Sequence, residues 1–156
     1  MFEKYNSQVQ LVLRCLPTVS KVQDFALKGG TAINMFIRQQ YPRLSVDIDL
    51  TYLPVHGRDG SLLAIENGLL EIGGNLKRDF RYKIEHCRSA ATKTITKIKV
   101  DNNVTRITIE PNPILRGTVY PIIHKDLSKK VADLYGATVP NMPLVAVEEI
   151  YAGKIC

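Results

Sequence analysis

The chain has no Gly-x-x-x-x-Gly-Lys-Ser/Thr run and no Gly-x-Ser-x-Gly elbow, so neither a Walker-type phosphate loop nor a serine hydrolase has support. Its three cysteines, Cys15, Cys87 and Cys156, are scattered, and no Cys-x-x-Cys or Cys/His cluster accompanies them. Neither a zinc site nor a disulfide framework is indicated. His56, His86 and His124 stand alone, in the manner of satisfied surface or core histidines. No apolar run approaches the roughly 18 to 20 residues that a membrane helix needs. The segment Met1-Phe2-Glu3-Lys4-Tyr5-Asn6 lacks the apolar core of a secretory signal. Internal repeats, low-complexity tracts and clear linkers are also missing. The expectation is one domain over residues 1–156, cytoplasmic, with no membrane partner.

What is there is an ordinary globular composition, 45% hydrophobic and 23% charged, in 156 residues, long enough to bury a core. Lys and Arg outnumber Asp and Glu by 21 to 15, a formal net charge of +6. That excess is compatible with a nucleic-acid or nucleotide partner and equally with a solvated basic surface. The cations are spread: Lys77, Arg78, Arg81, Lys83 and Arg88 form one group, and Lys93, Lys97 and Lys99 another.

The chemistry-bearing pattern starts at Phe25-Ala26-Leu27, a short apolar strand, followed by Lys28-Gly29-Gly30-Thr31 and a helix over Ala32–Gln40. Tyr41-Pro42-Arg43 then turns the chain into an acidic strand, Leu44–Leu50. In a strand, residues i and i+2 share a face, so Asp47 and Asp49 project together while Val46, Ile48 and Leu50 pack behind them. Two carboxylates that close repel unless a cation lies between them. Hard divalent ions take oxygen ligands, commonly one or two carboxylates plus substrate phosphates. The Gly-Gly-Thr turn offers backbone N–H groups that favour a phosphate. Alone, Gly-Gly is usually just a turn and Asp-x-Asp a solvated pair. Together, in this order, they point to chemistry on a nucleoside triphosphate.

Elsewhere, Val9, Val12, Leu13 and Leu16 form a helical stripe over Ser7–Leu16, which Pro17 is expected to end. A helix runs from about Leu62 to Ile72, or on to Asp79 if Gly68, Gly73 and Gly74 are tolerated at about 1 kcal/mol each. Phe80–Glu85 and Thr94–Val100 alternate as half-buried strands. Asp101-Asn102-Asn103 is turn chemistry, and Val104–Glu110 returns as the hairpin partner. Pro111 and Pro113 are expected to stop that strand. Val119–Val139 has no clear pattern, and Leu144–Lys154 is helical in composition.

Leu27–Asn34 followed by Arg43–Leu50 resembles the first motif of the AbiEii/AbiGii toxin family, within the polymerase-β-like nucleotidyltransferase superfamily. The resemblance implies an α+β fold, a mixed β-sheet with helices packed on it. It implies that Lys28, Gly29, Gly30 and Thr31 approach a triphosphate and that Asp47 and Asp49 hold Mg2+ or Mn2+. It further implies Glu110 as the third carboxylate, with Asn112 two positions on, and Lys154 as a triphosphate contact behind Glu148-Glu149-Ile150. The implied activity moves a nucleoside monophosphate from an NTP, GTP among the candidates, to an acceptor hydroxyl, with the 3′ end of a tRNA among the acceptors. The implied setting is the toxin half of a bacterial toxin–antitoxin or abortive-infection pair, with a cognate antitoxin as partner.

One departure stands out. The family's Arg-Asp-x-x-Asp segment is missing, together with most of its helical half, so the chain reads as the core of a typical member. A helix ending at Ile155-Cys156 would expose apolar surface, and pairing with another copy is one expectation. The competing reading is a catalytically inactive nucleotide-binding or partner-binding module.

Overall fold

A computed structural model describes residues 2–37 and 47–150. The apolar stripe of the first helix, α1 (Phe2–Ser20), continues past Leu16 to Val19, and Pro17 lies inside the helix rather than ending it. The missing proline N–H removes one bond of the ladder, but only the last turn follows it. Burial of Val9, Leu11, Val12, Leu13, Cys15, Leu16 and Val19 holds that turn in place.

β1 (Phe25–Lys28) follows, and a short helix α2 (Gly29–Ala32) leads into π-helical turns over Ile33–Ile37. The helix expected over Ala32–Gln40 therefore begins three residues earlier, and residues 38–40 lie outside the described set. β2 (Ile48–Tyr52) is the later half of the expected acidic strand; residues 44–46 are likewise outside the described set.

α3 (Arg58–Phe80) takes the longer of the two readings. Two of its glycines are packing positions: Gly68 lies against the ring of Phe25, and Gly73 against Ile84, while Gly74 is exposed. Close helix–sheet contact offsets their low helix propensity. The helix ends at Arg81, whose φ of 59° puts it in the left-handed region and whose N–H bonds the Lys77 carbonyl. The following strand β3 (Lys83–Arg88) is displaced from the expected Phe80–Glu85 for that reason.

β4 (Ile95–Asp101) and β5 (Arg106–Arg116) form the expected hairpin. The Asp101 and Asn102 carboxyl and amide oxygens accept the Asn103, Val104 and Thr105 N–H groups in the turn. β5 does not stop at Pro111. Its pairing to β4 runs only as far as Ile109, so both prolines fall where that edge no longer needs a donor, while β5 stays beside β2 through an irregular register.

In the patternless stretch lie β6 (Ile123–Lys125) and α4 (Lys129–Tyr135), the latter capped by the Ser128 hydroxyl and closed by Gly136 at φ 61°. β7 (Met142–Leu144) occupies the start of what composition suggested as helix; helical backbone begins at residue 147.

The seven strands form one mixed sheet in the order β3-β4-β5-β2-β1-β7-β6. β1 pairs antiparallel with β2 and parallel with β7; β2 pairs parallel with β5. Cross-strand partners Leu27, Leu50, Ile48, Ile109 and Ile98 are all fully buried and share one face. α1 and α3 cover that face, α3 over β3–β5 and α1 over β1, β5 and β7. The fold is α+β, as expected. The opposite face at β2 and β5 carries Asp49, Thr108 and Glu110.

Candidate active site

The centre of the polar face is a row of three aligned residues. Lys28 on β1 is the register partner of Asp49 on β2, and Asp49 is the partner of Glu110 on β5. Strands lie about 4.8 Å apart, so aligned side chains on one face are immediate neighbours. Ile48 and Leu50 pack in the core on either side of Asp49, which fixes its outward direction. Asp49 is partly buried and Glu110 exposed.

Asp47 stands in a bend just before β2. Two hydrogen bonds hold it: its Oδ1 accepts the Thr108 N–H at 3.0 Å, and its carbonyl accepts the Thr31 hydroxyl at 2.7 Å. Thr31 is almost wholly inaccessible, and its hydroxyl is engaged with the backbone that carries Asp47. Neither contact was legible from local spacing, since they join residues 61 and 16 positions apart.

Gly29 has φ +77°, a conformation that side chains strongly disfavour. A Cβ there would lie 2.9 Å from Asp49 Oδ2. The glycine turn therefore presses directly on Asp49, which joins two motifs that the sequence showed only as neighbours in order. Gly30 is the next residue of the same turn, in α2. Asn112 lies on β5 two residues beyond Glu110. Lys154 lies outside the described residues.

The Asp49 carboxyl titrates above its ordinary value: burial is the main cause, the Asp47 charge adds to it, Lys28 opposes it, and Glu110 adds a smaller push. Three acidic groups with one cation among them leave negative charge that a divalent ion would offset. The donors are all hard oxygens, which suits Mg2+ or Mn2+. They feel one another without touching: among the described residues, no three His, Cys, Asp or Glu side chains converge to hold an ion. Asp47 keeps its Oδ1 on the Thr108 N–H, which leaves its second carboxylate oxygen for an ion.

The profile of the nucleotidyl transferase AbiEii toxin family, type IV toxin–antitoxin system, matches residues 11–156. The chain belongs to the AbiEii family. Membership makes it a nucleotidyltransferase-type toxin and implies an antitoxin partner. No curated protein and no solved structure matches the chain. Among the described residues, no helix is long and apolar enough to cross a membrane.

Proposed function

We propose that the chain transfers a nucleoside monophosphate from an NTP to an acceptor hydroxyl, releasing pyrophosphate. The observation that carries this reading is the alignment of Lys28, Asp49 and Glu110 across three adjacent strands, with Gly29 against Asp49. The triphosphate tail lies on the β1 side, where Lys28 supplies charge and the Gly29-Gly30 turn supplies backbone N–H groups. On the family pattern Lys154 is a further triphosphate contact. Asp47, Asp49 and Glu110 are the residues to hold Mg2+ or Mn2+. Such an ion, when bound, neutralises phosphate charge and favours in-line displacement. The acceptor oxygen forms a bond to the α-phosphorus, the bond from that phosphorus to the bridging oxygen breaks, and the pyrophosphate carries that oxygen away. Glu110, the exposed member of the row, accepts the hydroxyl proton. Thr31 and Thr108 keep Asp47 in place. GTP as donor and a tRNA 3′ end as acceptor are the family's suggestions for the two substrates.

The direct test is label transfer from α-labelled NTP into RNA, with Mg2+ supplied or chelated. Transfer should require the ion and fall by about 100-fold or more in Asp49→Asn, the scale of losing one transition-state contact group. Transfer at wild-type rate in that variant would overturn the proposal. A second reading draws on the unconverged carboxylates: a module that binds NTP without turning it over. Retained NTP binding with no transfer by the wild-type chain would favour it.

A further inference from the structure

Beyond Glu110 the polar face of the sheet continues over β5, β4 and β3, away from the faces of α1 and α3. Cross-strand pairing sets its rows: Thr108 beside Lys99 beside Glu85, and Arg106 beside Asp101 beside Lys83. Lys97, two residues from Lys99, points the same way and pairs with Cys87 on β3. The two carboxylates in these rows are already matched: Arg106 reaches Glu85 at 3.8 Å and Asp101 at 3.6 Å. Lys83, Lys97 and Lys99 have no ion pair among the described residues. Lys97 and Lys99 are half-buried in mid-sheet, about 7 Å apart along the strand. Lys99 lies beside Thr108, the residue whose N–H holds Asp47.

An unmatched row of cations next to an acidic centre is complementary to a polyanion. Resting on the transferase reading, in which the acceptor is a nucleic acid, we propose that β4 is where that strand docks, its phosphates lying along the strand and contacting Lys97 and Lys99. The acceptor end then enters the carboxylate row from the β4 side, while the triphosphate occupies the β1 side at Lys28 and Gly29. The arrangement gives the two polyanions separate cation sets on opposite flanks of Asp49 and Glu110. Phosphate contacts of this kind position a strand without reading its sequence.

The test measures binding of a single-stranded RNA oligonucleotide by fluorescence anisotropy, without NTP and with metal chelated, so that turnover plays no part. Lys97→Gln/Lys99→Gln should weaken RNA binding roughly tenfold and lower the salt slope by about 0.7 per lysine. Lys97→Arg/Lys99→Arg should restore it, and NTP affinity should be unchanged in both, which also shows that the variants are folded. Equal RNA affinity in the Gln variant overturns the proposal, as does polyglutamate competing as well as RNA does. Asp49→Asn separates the two claims: it removes transfer on the proposed function and should not weaken RNA binding. Absence of transfer in the wild-type chain, with RNA binding still lost in the Gln variant, would fail the transferase reading and leave the docking surface standing.

Discussion

A methyl group on Gly29 would lie 2.9 Å from Asp49 Oδ2, at a backbone position with φ +77°. Gly29→Ala should therefore cost about 1–3 kcal/mol through strain and shift the carboxylate. Thermal melts should show the loss, together with weakened NTP binding. Asp49 makes a prediction of opposite sign. Its folded-state pKa is raised above the ordinary value of 3.8, mainly by burial. Its contribution to stability is thus fully present below pH 3.8 and is lost as pH rises through the folded value. Without divalent ions, Asp49→Asn should melt higher than the wild-type chain at pH 7 and close to it at pH 3. A lower melting point at pH 7 would mean that the carboxylate is satisfied where it stands. Thr31→Val should remove the hydroxyl that the Asp47 carbonyl accepts, costing about 0.5–1.5 kcal/mol, and should reduce transfer by loosening Asp47.

At the scale of elements, legibility followed locality. The β4–β5 hairpin was readable because its turn is held by its own Asp101 and Asn102 side chains. The strand–glycine turn–acidic strand order was readable because each part carries its own signal. The length of α3 was not, since helix propensity penalises its glycines and only the sheet beneath explains Gly68 and Gly73. A Cβ on Gly68 would meet the Phe25 ring at 2.7 Å, so Gly68→Ala should destabilise by about 1–3 kcal/mol despite its better helix propensity. Denaturant unfolding checks that; a stabilised variant would show that α3 can move off β1. The prolines of β5 misled because a strand needs donors only on a paired edge. The place of Glu110 beside Asp49 depends on a parallel pairing between distant segments, which spacing cannot show; family resemblance alone anticipated it.

In the whole molecule, apolar residues bury one face of the sheet under α1 and α3 and leave a polar face with an acidic row set among cations. That division suits the two polyanionic substrates of the proposed function. Because the acidic row is short of positive charge, Mg2+ together with NTP should raise the melting temperature of the wild-type chain through preferential binding to the folded state. The central claim is that Asp49 and Glu110, aligned on neighbouring strands, hold a divalent ion beside the Gly29 turn. Mn2+ titration followed by electron paramagnetic resonance, with NTP present, tests it most directly. The account predicts a saturable site in the wild-type chain, lost in Asp49→Asn and weakened in Glu110→Gln. Equal Mn2+ uptake by all three proteins would contradict it.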